Sequence, residues 1–445
     1  MVSVGIGHFW IAFFAVGFAL GVEYVLFRRA NHGGDYLPSP PWYAKYTYAL
    51  IVLFGLLLVA VMLSEYRFQH FSRLAESFLS GHLYFLEVPG GIGDTVRFNG
   101  HLYWPLGPFP AVLLMPLAWV ASTLGLVLYQ GLPQALLTVG IFLLVRQAAR
   151  RLGYTGYEAL VWAFAFVFAT MFLGVGLLSK SWYFAQVVAT FLLWWTLSEH
   201  LGKRRYRLMG VLVGCLLATR MTAALIAVFF LLDLFLIGDL SRRQKWVSAL
   251  QLLAPCLVAV VLVGLYNHAR FGSPTETGYA IQVTGDFLLA SRAYGVFSLA
   301  HIPGNLYFSL LSGPQPSFVG DTSQVLRFPF IEGNPYGMSI FVTSPYMLLL
   351  FLLSYRDRFS RFGLLTVVVI AIPIICYYGV GFSQLGYRYA LDFWPLLFLL
   401  FMRGYHQRRE RLSGRLQLAI VASSLVNLYL FLTIFAINHP LIRFP

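Results

Sequence analysis

LMGVLVGCLLATRMTAALIAVFFLLDLFLIG, residues 208–238, decides what kind of protein this is. The run is longer than the roughly 20 apolar residues that one bilayer crossing needs. It is bounded by Lys203/Arg204/Arg205/Arg207 on one side and Arg242/Arg243/Lys245 on the other. Basic clusters flanking apolar runs stay on the cytoplasmic side of a membrane. Two clusters on one side require an even number of crossings between them. Two short crossings that meet outside near Arg220 satisfy both the length and the parity. Arg220 then lies deep in an apolar run, where an isolated cation at a helix centre costs about 2.5–3.5 kcal/mol. It must either reach the outer surface at the turn or find a buried anionic partner.

The rest of the chain fits the same reading. Of 445 residues, 59% are hydrophobic and only 11% charged, with mean hydropathy +0.74. Soluble domains run near one quarter charged, so the chain reads as an all-α polytopic membrane protein. The net charge of +14 sits in short clusters between apolar runs, as orientation signals do, and nucleic acid is excluded as a partner. Four further clusters complete the set: Arg28/Arg29/Lys45, Arg146/Arg150/Arg151, Arg356/Arg358/Arg361 and Arg403/Arg408/Arg409/Arg411/Arg415. All six are placed inside. Crossings are expected near 7–27, 44–64, 127–145, 158–178, 181–199, 247–267, 338–354, 362–380, 387–402 and 416–437. With the two short crossings this makes about twelve. The first run has its basic flank after it and reads as a retained anchor rather than a cleaved leader.

Parity also settles residues 105–125. Only an odd number of crossings fits between 65 and Arg146, and this run carries Pro105, Pro108, Pro110 and Pro116. Proline removes an interior helix bond, so the run is laid along the outer surface. The whole of 1–445 is one transmembrane domain with two large outer-face loops, 65–126 and 268–337. The first holds an interfacial helix near Phe71–Leu79, judged from its apolar spacing.

The polar chemistry gathers at those outer segments. Glu65 sits where a span meets water, and partial desolvation there raises a carboxyl pKa toward general-base use. The loop behind it carries His82, Tyr84, Asp94, His101 and Tyr103. Arg67, Arg270 and Arg388 are candidates for an anion site, since guanidinium binds phosphate through a planar fork. Arg388 and Asp392 are four apart and share a face if helical. Tyr84, Tyr103, Trp104 and Tyr279 are candidates for stacking on sugar rings. Cys215, Cys256 and Cys376 fall in expected spans and show no CxxC spacing. No HExxH, Asp-x-Asp, Walker loop or nucleophile elbow is present.

Taken together these features resemble the GT-C superfamily of multi-spanning glycosyltransferases that use polyprenyl-phosphate sugars, such as the protein O-mannosyltransferases and the lipid A aminoarabinose transferases. The resemblance rests on an acid, Glu65, after a span; the helix ending in Ser80-Gly81-His82-Leu83-Tyr84; and Tyr103-Trp-Pro-Leu-Gly-Pro108. It also rests on the interrupted pair around Arg220, on Asn267-His-Ala-Arg-Phe-Gly-Ser-Pro274, and on Gly386-Tyr-Arg-Tyr-Ala-Leu-Asp392. That family usually has an aspartate where this chain has Glu65.

The resemblance implies glycosyl transfer at the outer face of a bacterial inner membrane, with the site facing the periplasm. The donor would be a polyprenyl-phosphate sugar and the acceptor a lipid, glycan or protein hydroxyl. Glu65 would be the base, with Asp94 in reserve. Arg270 and Arg388, with Arg67, would hold the leaving phosphate; His82, Tyr84, Tyr279 and Tyr387 would line the substrate site. No cofactor is required; a divalent metal is compatible with the chemistry but not indicated by the sequence. The rival reading is a lipid or solute transporter or flippase, which would concentrate its polar residues at the midplane.

Overall fold

The computed structural model describes residues 48–56, 68–88, 91–320 and 324–438. The expected first span, Glu65 and Arg67 lie outside the described residues. Residues 48–56 are helical, where the second span was expected. The helices that follow are α1 (His70–Leu79), α2 (Phe109–Thr123), α3 (Gly131–Arg151), α4 (Gly156–Phe168), α5 (Phe172–Leu177) and α6 (Ser181–Leu201). Next come α7 (Tyr206–Leu217), α8 (Met221–Ala224), α9 (Ala227–Leu236), α10 (Arg242–Phe271), α11 (Asp286–Arg292) and α12 (Ile302–Leu306). The last are α13 (Ile340–Thr343), α14 (Arg358–Ile375), α15 (Trp394–Arg408) and α16 (Gly414–Asn438). Two small antiparallel hairpins, β1–β2 (Val96–Phe98, His101–Tyr103) and β3–β4 (Gln315–Phe318, Leu326–Glu332), sit in the long segments between helices.

Among the described residues, α3, α10, α14 and the Gly414–Phe435 part of α16 are long and apolar enough to cross a bilayer. The chain is an integral membrane protein. Several of the other expected crossings are divided. The run at 158–178 breaks into α4 and α5 because Thr170 turns its hydroxyl onto the chain: it donates to the Phe166 carbonyl at 2.7 Å and accepts from Phe172 N–H at 3.1 Å. The run at 338–354 breaks at Ser344–Pro345 into α13 and a 3-10 segment, Pro345–Leu352. The run at 208–238 breaks at Ala218–Arg220, between α7 and α8, where two short crossings were expected to meet. In 105–125 the prolines do not prevent a helix: α2 runs through Pro116 and gives up one internal bond. It packs on α1.

Five of the six basic clusters collect at one end of the bundle, and Arg28/Arg29/Lys45 lie outside the described residues. Arg151 donates to Ser198 at the end of α6. Arg205 forks onto Glu199 at 2.9 and 2.8 Å. Arg204 reaches Asp233 at 3.4 Å, and Arg403 reaches Asp357 at 3.3 Å. Lys245 donates to the Phe235 carbonyl and Arg358 to that of Leu236. Five of the six sequence clusters thus meet through ties among α3, α6, α9, α10, α14 and α15.

Close helix contact places the break at 218–220. In α7, Gly210 and Gly214 face α10; a Cβ on Gly210 would lie 2.4 Å from the Leu252 carbonyl oxygen. Small residues four apart let membrane helices approach backbone to backbone. The loop before α2 also touches the break: Phe109 N–H donates to the Ala218 carbonyl at 3.0 Å. Helix α1 is tied down by Ser181, whose hydroxyl accepts from His70 N–H at 2.8 Å, and by Gln130, whose Oε1 accepts from Phe71 N–H at 2.8 Å.

Candidate active site

At the end away from the basic clusters, the two long segments join. Asp94 N–H donates to the Val283 carbonyl and Val283 N–H to the Thr95 carbonyl, each at 2.8 Å. Val96 bridges to Gln282. Asp94 sits in a tight turn with φ 63°, a left-handed conformation that Asp tolerates better than most residues. Gln282 grips it from the second segment: its Nε2 donates to the Asp94 carbonyl at 3.0 Å and to Oδ1 at 3.3 Å. Burial raises the Asp94 carboxyl pKa above its ordinary value, and the nearby Arg388 guanidinium opposes that shift.

Asp94 lines a cavity of about 850 Å³. Arg270 enters it from the last turn of α10, buried at 4% exposure. Its Nη1 donates to the Trp104 carbonyl and its Nη2 to Asn267 Oδ1, each at 2.6 Å. Its guanidinium lies over the Tyr266 ring at 3.9 Å. Arg388 enters from a 3-10 segment, Arg388–Asp392. Its Nη1 donates to Gln384 Oε1 at 3.1 Å, and it sits 4.9 Å from the Tyr389 ring and 5.3 Å from that of Tyr183. Among the described residues no carboxylate lies within ion-pair distance of Arg270 or Arg388. Nε of each is buried without a hydrogen-bond partner.

Arg220 also lines the cavity and has the buried anionic partner its position demanded. Nε and Nη2 donate to the two oxygens of Asp392 at 2.5 and 2.9 Å, and Thr222 donates to the same carboxylate. This corrects the expectation that Asp392 shares a face with Arg388. The segment is 3-10, with about three residues per turn, so positions four apart diverge.

Of the sequence candidates, Asp94, Arg270, Arg388 and Tyr279 come together on this wall. Burial raises the Tyr279 hydroxyl to about 12, so it stays a hydrogen-bond donor at neutral pH. His82, Tyr84 and Tyr387 are not among the lining residues. Tyr84 stacks on His101 of the first hairpin at 3.9 Å, with His82 edge-on at 5.0 Å. Tyr387 is buried and donates to Asn305 Oδ1 at 2.8 Å. Trp104, noted as an aromatic of the first segment, lines the cavity together with Trp182, Tyr377, Tyr378 and Tyr389, which the sequence reading passed over because aromatic residues are abundant everywhere in the chain. Gln282 was also missed, and no sequence pattern marks it. Met221, Val263, Pro373 and Ile374 give the cavity an apolar side drawn from α8, α10 and α14. Among the described residues no group of three or more His, Cys, Asp or Glu could hold a metal ion.

No protein-family model matches the chain, and no curated protein matches it in sequence. Among solved structures its fold has distant likenesses at low sequence identity. One is ArnT from Cupriavidus metallidurans bound to undecaprenyl phosphate, with 15% identity over 85% of this chain and 63% of that one, at a TM-score of 0.46. Another is the Archaeoglobus fulgidus oligosaccharyltransferase in the apo form, with 14% identity over 89% of this chain and 56% of that one, at a TM-score of 0.41. The chain spans less than two thirds of the length of either.

Proposed function

We propose that this cavity transfers a glycosyl group from a polyprenyl-phosphate sugar to an acceptor hydroxyl at the outer face of the membrane. One observation carries the reading. A half-buried carboxyl and two guanidinium groups without carboxylate partners line one cavity, which α10 and α14, two helices apolar enough to cross a bilayer, also line with Val263, Pro373 and Ile374. Such a wall suits a donor whose head is anionic and whose tail lies in lipid.

Asp94 takes the proton of the acceptor hydroxyl. The acceptor oxygen bonds to the anomeric carbon, and the bond from that carbon to the phosphate oxygen breaks. The electron pair leaves on the phosphate, where Arg270 and Arg388 offset the growing charge. Fixed cations act most strongly where charge develops in the transition state. Tyr279, with Tyr389, bounds the space for the sugar. Glu65 and Arg67 keep their sequence-based candidacy as base and phosphate ligand.

The test is transfer by purified protein in liposomes containing a radiolabelled polyprenyl-phosphate sugar. Asp94→Asn should lower the rate by about 10²-fold or more, and Arg388→Gln by about 10²–10³-fold, with both variants still folded. Wild-type activity in both would remove the site. Donor flipping without product would favour the transporter reading.

A further inference from the structure

The hairpin β3–β4 has no role in the cavity, and its surface is unusual for a segment outside a membrane. Val325, Phe328, Phe330 and Ile331 are all exposed, Phe328 at 77%. The strands are out of simple register: Pro316 faces Ile331, but Phe318 faces Leu326. Residues 327–330 therefore bulge from the ladder, with Pro329 buried between the exposed Phe328 and Phe330, whose rings meet edge to face at 6.1 Å.

The hairpin lies beside α16. The Tyr429 hydroxyl donates to the Pro329 carbonyl, and Gly333 N–H donates to Thr433 Oγ1 at 2.9 Å. Tyr429 lies six residues before Phe435 in the apolar Gly414–Phe435 part of α16, which is about 9 Å of helix. One leaflet's hydrocarbon is about 15 Å thick. Leu425, Val426, Tyr429 and Leu432 continue the same exposed apolar surface on α16.

Lipid offers no hydrogen bonds, so a strand edge survives there only if its polar groups are satisfied or absent. This hairpin goes some way toward that condition. Tyr429 takes up a carbonyl of β4 and Thr433 the N–H of Gly333 just after it, and Pro316 and Pro329 have no N–H to satisfy. We propose that the Phe328-Pro329-Phe330 bulge inserts into the acyl chains of the outer leaflet beside α16 and anchors the second long segment to the membrane.

The experiment places single cysteines, each carrying an environment-sensitive fluorophore, in a chain whose Cys215, Cys256 and Cys376 are replaced by Ala. Phe328→Cys and Ile331→Cys are compared in phosphatidylcholine liposomes with Gly100→Cys, at the turn of the first hairpin, and with Leu425→Cys, on the exposed face of α16. Doxyl-labelled lipid should quench the labels at 328 and 331 as strongly as the label at 425. Iodide should quench them several-fold less than the label at 100. Iodide quenching equal to that at position 100 would overturn the proposal. So would protection from both quenchers, which would mean that protein, a second copy included, covers the bulge. Two labelled positions guard against one of them disturbing the hairpin.

Discussion

Asp94 is where the chemistry becomes measurable. If it is the base, activity depends on its ionised form, so the rate rises with pH through its pKa. Burial lifts that pKa, which places the acidic limb of the profile above the ordinary carboxylate value of about 3.9. Arg388 works the other way by favouring the charged form. Replacing it with Gln removes that attraction and moves the limb to higher pH. A pH–rate profile of residual Arg388→Gln activity checks this, and a limb that stays in place would show that another group titrates. Asp94 was legible in the sequence only as a reserve candidate. Its turn and its Gln282 clamp depend on a contact between residues 188 positions apart, and no local pattern announces that. Arg220 was legible for the opposite reason: a cation in an apolar run is costly enough to force a partner.

The helices set where these side chains stand, and two contacts are open to test. The first is the Arg220–Asp392 pair, which links the break between α7 and α8 to the segment carrying Arg388. Removing one member leaves a buried charge unpaired, at a cost of about 3–5 kcal/mol. Arg220→Met should therefore lower the thermal midpoint in detergent well below wild type. Arg220→Met with Asp392→Leu should recover a large part of the loss, and equal destabilisation of single and double variants would contradict the pairing. The second contact is Gly107, where a Cβ would fall 2.1 Å from the Ala218 carbonyl oxygen. Gly107→Ala should cost about 1–3 kcal/mol, whereas Gly304→Ala, which meets nothing within 4 Å, should be tolerated. Hydropathy located the runs that form α3, α10, α14 and α16, but it did not reveal the breaks at Thr170 and Pro345. Both breaks arise from single polar or proline residues in runs that stay apolar on average.

For the molecule entire, the arrangement follows from charge. Five of the six basic clusters gather at one end, joined by ion pairs and carbonyl bonds, and the two long segments meet at the other around one cavity. That polarity was readable from the spacing of Lys and Arg alone. The partnering of the segments, and hence which aromatic rings face the cavity, was not, because it depends on packing between distant parts of the chain. The account stands or falls on the cavity opening outward and holding a lipid-linked donor. Thr284 lines it and has a buried hydroxyl with no hydrogen-bond partner, so Thr284→Cys in the cysteine-free chain places a thiol inside. A membrane-impermeant thiol reagent, added to intact cells and then to inverted vesicles, reads both properties. Labelling should occur from the outer side only and should fall when a polyprenyl-phosphate sugar is present. Labelling from the cytoplasmic side, or labelling that the donor leaves unchanged, would contradict the account.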